Sequence, residues 1–172
     1  MTNIAHRALI ALGANLGDAS ETLRAALAAL DASSSTHLLR SSGFFATSPV
    51  DSSGPDYVNA VAAVETTLDP ETLLECLQKI ENDFGRVRPA GVRNAPRTLD
   101  LDLLLYEGEV RDTARLTIPH PRMQERLFVL VPWLDVEPEA RLPDGRLVRD
   151  VVEQIREADP SQRISRLTSP QA

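Results

Sequence analysis

The chain has 172 residues, enough for one domain to bury a core unaided, and its 42% apolar and 25% charged content is that of a soluble globular protein, not a disordered or fibrous one. A net charge of −7 argues against a surface that tracks a nucleic-acid backbone, so no nucleic-acid partner is expected. A lone cysteine, Cys76, excludes an internal disulfide or a cysteine zinc cluster, and no stretch approaches the roughly 20 apolar residues of a membrane helix; the expectation is a cytoplasmic monomer that does not enter a membrane.

Residues 8–12 are a short apolar run closed by Gly13, which reads as a buried strand feeding a turn at 13–17. Asp18 and Glu21 have capping-box spacing, and Leu23, Ala26, Leu27 and Leu30 then fall on one helical stripe. After a serine and threonine loop at 33–36, residues 38–46 read as a strand that stops near Thr47, Ser48 and Pro49. A polar turn at 51–56 leads into 57–67, rich in valine and threonine, which can pair with the preceding strand as an antiparallel hairpin. Asp69 and Pro70 suit the N-cap and first position of a second helix, whose stripe is Leu73, Leu74, Leu77, Ile80 and Phe84 and whose stop is Gly85. An arginine-rich loop, 86–97, precedes a strand at 98–106.

The order strand, helix, strand, strand, helix, strand is that of an α+β, ferredoxin-like βαββαβ sandwich with its helices on one sheet face. Further on, 116–118 is expected to add an edge strand and 121–134 to be partly helical, and residues after 156 read as a loosely held tail. One domain is expected over 1–172, with its core at about 8–152, the tail at 157–172 and no internal repeat.

The strongest chemical signal is Asp100-Leu101-Asp102. In a strand alternate side chains share a face, so the two carboxylates project together, roughly 7 Å apart at Cα, while Leu99, Leu101, Leu103 and Leu105 turn toward the core. Two solvated aspartates paired with nearby arginines would account for the motif alone. The cluster Arg86, Arg88, Arg93 and Arg97 just upstream, in an acidic protein, shifts the weight to a polyphosphate bridged by magnesium, which takes one or two protein carboxylates and fills its shell with phosphate oxygens and water. Two ions about 4 Å apart can share such a pair. No P-loop is present; Gly13-Ala14-Asn15-Leu16-Gly17 lacks the lysine and reads as a plain turn.

A second constellation is Thr117-Ile118-Pro119-His120-Pro121-Arg122 with Arg126 and Phe128, in which His120 lies outside any regular stripe and is suited to donate to a phosphate, an adenine or a ribose. The third is Thr47 and Val50 with Tyr57 and Asn59. The last two share a strand face, either as ordinary sheet surface or as an aromatic plate beside an amide that can read the edge of a flat heterocycle. His6 and His37 read as surface residues, and Glu65, Cys76 and Trp133 as structural ones.

Pro96-Arg97-Thr98-Leu99-Asp100-Leu101-Asp102, preceded by Gly85-Arg86-Val87-Arg88 and followed by Thr117-Ile118-Pro119-His120, resembles the signature of the hydroxymethyl-dihydropterin pyrophosphokinases, and the likeness runs from about residue 8 to 152. The resemblance implies a ferredoxin-like fold, ATP held through two magnesium ions, and diphosphate transfer to 6-hydroxymethyl-7,8-dihydropterin with release of AMP, a step of folate synthesis. It implies that Asp100 and Asp102 bind metal and that Arg86 and Arg97 clasp the phosphates from a loop that closes over ATP. Gln78, Glu81, Arg88, Leu103, Arg115, Thr117 and His120 would line the ATP site, with Arg126 near its phosphates. Tyr57 and Phe128 would sandwich the pterin, with Thr47, Val50 and Asn59 as its polar readers. Asn94, Ser48 and Pro121 depart from the family's pattern, where a tryptophan, a proline and an aromatic are frequent. The rival readings are a nucleotide-sensing or RNA-binding module on the same fold and a kinase that moves only the γ-phosphate.

Overall fold

The apolar run near the N-terminus becomes β1 (His6–Ala14), two residues longer at each end than the sequence implies. It is followed by α1 (Ala19–Ala32), β2 (Thr36–Ser41), β3 (Phe45–Thr47), β4 (Tyr57–Thr66), α2 (Pro70–Asp83) and β5 (Asp100–Tyr106). A small ladder of β6 (Arg111–Asp112) and β7 (Thr117–Ile118), a 3-10 turn (Met123–Glu125), α3 (Leu127–Val136), α4 (Val148–Ala158) and β8 (Ile164–Arg166) complete the chain. The computed structural model describes residues 4–15, 18–47, 56–84 and 99–167, so Gly85, the arginine loop and most of the 51–56 turn lie outside the described residues.

The caps form where the side-chain chemistry places them. Asp18 Oδ1 accepts from Glu21 N–H at 3.1 Å, and Asp69 Oδ1 accepts from Thr72 N–H at 2.7 Å with Pro70 opening the helix. Instead of reaching back across the capping box, the Glu21 carboxylate accepts from Arg24 at 3.2 Å.

All pairings in the main sheet are antiparallel, in the order β5-β1-β4-β3-β8, with β2 also alongside β4. The expected strand at 38–46 is therefore two. Between them Ser42 exchanges bonds with Val61 using both main chain and side chain: its N–H donates to Val61 O at 2.8 Å and its Oγ accepts from Val61 N–H at 2.9 Å.

Helices cover both faces of this sheet, not one. Ala8, Ile10, Leu12, Leu101 and Leu103 pack under Leu23, Ala26 and Leu30 of α1 and Leu73, Leu77 and Ile80 of α2. On the other face Leu9, Ala11, Val61 and Leu104 pack under Leu127, Leu130 and Trp133 of α3 and Val148, Val151 and Val152 of α4. The βαββαβ unit supplies the first layer and the C-terminal elements the second.

Three further expectations change. Leu105 packs against the second core, because the β1–β5 register shifts between Leu9 and Ile10, which puts Leu104 and Leu105 on the same side. Residues 116–118 do not extend the main sheet: Thr117 and Ile118 pair with Asp112 and Arg111 in a separate two-stranded ladder. The supposed tail carries the end of α4 and then β8, which pairs with β3 and is held by Arg166, whose guanidinium donates to both oxygens of Asp135 at 2.9 and 2.7 Å.

Candidate active site

The strand residues that face α3 are apolar at one end of the sheet and polar at the other. Leu9, Ala11 and Val61 belong to the second core. One step further the register aligns Asp100, Gly13, Asn59 and Phe45 across four strands, with Asp102 beside Ala11. Period-2 alternation thus puts both aspartates on the side opposite the buried Leu101 and Leu103, Asp100 half-buried and Asp102 exposed.

Gly13 lies within β1, not in a turn, and its missing side chain is part of the site. A Cβ there would stand 2.9 Å from Asn59 Oδ1. Asn59 is buried, and its Nδ2 donates to Thr47 Oγ1 at 2.6 Å, so two of the expected heterocycle readers are linked. Tyr57 is half-buried directly opposite Thr47. An isolated glycine inside an apolar strand is the one signal that could have flagged Gly13 as a place of close approach.

Glu81, from the last turn of α2, is 6% exposed, and its Oε2 accepts from the Leu101 N–H at 2.8 Å, between the two aspartates in sequence. This contact ties the outer edge of β5 to α2. Leu103 is 3% exposed in the first core, so its side chain does not line an open site. By alternation its main-chain N–H and C=O share the outer edge with those of Leu101.

His120 follows the small ladder and bonds back to β5. Its N–H donates to Leu104 O at 2.9 Å, and its Nδ1 accepts from the Arg122 N–H at 3.3 Å, which assigns the proton of the neutral ring to Nε2. Burial pushes the imidazole below its ordinary pKa; the Asp102 carboxylate opposes this, and the Arg126 and Arg122 guanidiniums add to it. Arg126 sits at the N-cap of α3 with its guanidinium 5.3 Å from the centroid of the Phe128 ring.

The remaining expected residues are more scattered. Thr117 is half-buried in β7, and Gln78 is exposed on α2. Arg115 is exposed and bonds Glu75 of α2 at 2.8 Å, while Arg111 bonds Glu71 at 2.6 Å and Glu109 at 2.8 Å. These pairs strap the β6–β7 ladder to α2. Val50, Arg86, Arg88 and Arg97 lie outside the described residues.

Among the described residues no group of three or more histidine, cysteine, aspartate or glutamate side chains converges. The aspartate pair offers hard oxygen donors and leaves most of a coordination shell to phosphate and water, a donor set that fits magnesium bound together with a nucleotide. A structural zinc would need a closed set of four ligands.

Residues 9–138 match the family model for 7,8-dihydro-6-hydroxymethylpterin-pyrophosphokinase (HPPK). The 2-amino-4-hydroxy-6-hydroxymethyldihydropteridine pyrophosphokinase of Haemophilus influenzae is 47% identical over 148 residues, 86% of this chain and 91% of that protein. The proteins of the same description from Pseudomonas aeruginosa and Bacillus subtilis are 45% and 43% identical; they align with 81% and 79% of this chain, and with 86% and 79% of their own lengths. Among solved structures, the wild-type Plasmodium falciparum HPPK-DHPS chain with SDX-DHP superposes with a TM-score of 0.72 over 96% of this chain at 14% identity, a likeness of fold, and this chain spans about half (50%) of its length. The fold is ferredoxin-like, and the chain belongs to the 7,8-dihydro-6-hydroxymethylpterin-pyrophosphokinase family.

Proposed function

We propose that the chain carries out its family's reaction at the polar end of the second sheet face: transfer of a diphosphate from ATP to the hydroxymethyl oxygen of 6-hydroxymethyl-7,8-dihydropterin, with release of AMP, in folate biosynthesis. Besides family membership, one geometric fact carries the reading. Asp100 and Asp102 stand on one face of β5, with Asn59 in the same cross-strand row as Asp100 and His120 tied to the same strand through Leu104 O.

The reaction forms a bond between the hydroxymethyl oxygen and the β-phosphorus and breaks the bond from that phosphorus to the oxygen retained by AMP. Chemistry of this kind asks the protein mainly for alignment and charge neutralisation. Asp100 and Asp102 would hold magnesium, two ions in all, and its charge would neutralise the phosphate oxygens.

His120, neutral at physiological pH, donates from Nε2 to the nucleotide without the desolvation cost of a buried cation. Arg126, Arg115, Thr117, Gln78 and the β5 edge at Leu103 complete the ATP side, and Arg86, Arg88 and Arg97 supply further cations. Glu81, already bonded to Leu101, orients β5 from below the nucleotide. Tyr57 and Phe128 stack on the pterin, and Thr47, Val50 and Asn59 read its polar edge. This edge sets specificity, because a wrong ring cannot match the donor and acceptor sites of the buried Asn59 amide beyond the one that Thr47 already takes. The enzyme works as a cytoplasmic monomer.

The test is to incubate the protein with ATP, magnesium and the hydroxymethyl-dihydropterin and to identify the nucleotide formed. AMP is expected. ADP would make the protein a simple kinase, and unconsumed ATP with a folded protein would make it a binding module.

A further inference from the structure

We propose that residues 159–166 are a positioning strap for the pterin slot, holding both of its walls. The inference rests on the assignment of Thr47, Tyr57 and Asn59 to one wall and Phe128 to the other.

The first wall depends on β3, which is only three residues long. On one side it pairs with β4; on the other it pairs with β8 in the register Phe45 to Arg166, Ala46 to Ser165 and Thr47 to Ile164. Thr47, whose Oγ1 holds the Asn59 amide, is thereby paired on both sides. Arg166 locks this arrangement. Its guanidinium makes the two-pronged contact with Asp135 of α3 and lies 4.7 Å from the centroid of the Phe45 ring. The same Asp135 Oδ2 accepts from the Gly43 N–H at 2.9 Å, so one carboxylate fixes both β8 and the chain entering β3. A Cβ on residue 43 would stand 2.5 Å from Arg166 Nη1, so a side chain there would have to push the guanidinium aside.

The second wall depends on the start of α3. Arg126 is its N-cap residue and makes no side-chain cap. The Leu127 N–H instead donates to Gln162 Oε1 at 2.9 Å, and Gln162 Nε2 donates to Glu125 O at 3.0 Å. One amide therefore grips the chain on both sides of Arg126 and fixes the first turn, which carries Phe128. Gln162 and Arg166 are four positions apart on one segment, and each serves a different wall.

Among the described residues, none of the hydrogen bonds of 159–166 reaches β5 or the β6–β7 ladder, where the nucleotide is placed. The strap also lies beyond residues 9–138, the part that matches the family model. A purely architectural segment would affect both substrates or only stability. A positioning strap affects the pterin more than ATP, and at Arg166, which is remote from Arg126, the pterin alone.

The experiment measures kcat and KM with each substrate varied in turn, for Gln162→Ala, Arg166→Ala and Tyr57→Ala, together with equilibrium binding of 6-hydroxymethylpterin. Each strap variant is expected to raise the pterin KM and Kd about tenfold. Arg166→Ala is expected to leave the ATP KM within about twofold, whereas Gln162→Ala, which releases the chain on both sides of Arg126, is expected to raise the ATP KM less than the pterin KM. Gln162→Glu keeps the acceptor for the Leu127 N–H but loses the Nε2 bonds to Glu125 O and Asp159, so it is expected to recover only part of the pterin affinity lost in Gln162→Ala; that partial recovery separates positioning from damage to the fold. If Tyr57→Ala weakens the pterin but the strap variants move both KM values equally, or only the Tm, the strap is architectural and the inference is wrong. If Tyr57→Ala leaves the pterin KM unchanged, the slot itself is misplaced and the strap's role falls with it.

Discussion

The two faces of the sheet are built from the same strands yet do different work. The face under α1 and α2 is apolar from Ala8 to Leu12 along β1 and from Leu99 to Leu103 along β5. The face under α3 and α4 is apolar only at one end, and gives way to Gly13, Asn59, Asp100 and Asp102 at the other. A period of two lets one strand satisfy both demands: Leu101 anchors β5 in the core while its two neighbours put carboxylates on the opposite face. Stability and chemistry should therefore be separable by face.

The largest expected effect tests the first face. Leu77 is fully buried on the inner side of α2, and Leu77→Ala should cost about 2–5 kcal/mol in urea unfolding, the range for a large-to-small change in a packed core, with kcat per folded molecule nearly unchanged. A fall in kcat that outlasts correction for the unfolded fraction would show that the faces are not independent. The complementary change is Asp102→Ala, on an exposed carboxylate. Turnover should fall about a hundredfold or more, the scale for losing a preorganised electrostatic group, while the urea midpoint stays within error. Retained turnover would remove Asp102 from the metal site.

Gly13→Ala sharpens the boundary between the faces, since residue 13 faces the second side at the point where it turns polar. A methyl group would press on Asn59 Oδ1, and displacing that amide breaks its bond to Thr47. The variant should lose about 1–3 kcal/mol of stability, as overpacked sites do, and weaken the pterin more than ATP in steady-state kinetics. Equal weakening of both substrates would mean that Asn59 does not read the pterin.

The same contrast explains what was legible in the sequence. The first layer announces itself through local rules: Asp18 and Asp69 as caps, the Leu73, Leu77 and Ile80 stripe, and the alternation through Asp100 and Asp102. The second layer depends on partners far along the chain. The buried stripe of α4 is only Val148, Val151 and Val152 among charged residues, and β8 is three residues held by an ion pair to Asp135, 31 positions away. Leu105 turns to the second core because a register shift interrupts the alternation, a property of the β1–β5 pair that neither strand shows alone. Glu81, which the resemblance assigns to the ATP site, carries no local signal for its buried bond with the Leu101 N–H, since that partner is 20 positions away.

The smallest effect concerns how the second layer is closed at acid pH. Arg166, at the end of β8, donates hydrogen bonds to the Asp135 carboxylate and holds its pKa below the ordinary value of 3.8; partial burial works the other way, and the Gly43 N–H adds to the lowering. Because the folded pKa is depressed, the unfolded chain binds more protons below the ordinary value. The stabilisation is then complete at neutral pH and is lost as pH falls through 3.8 toward the folded pKa. Asp135→Asn should be less stable at neutral pH but lose less as pH falls through this window, so that the urea midpoints of the two proteins converge. The pterin KM of the variant should rise already at neutral pH, since the same carboxylate holds β8 and the Gly43 N–H at the entry to β3. Parallel acid limbs would show that Asp135 gains nothing from Arg166 in solution, and the second layer would then be held by its apolar contacts alone.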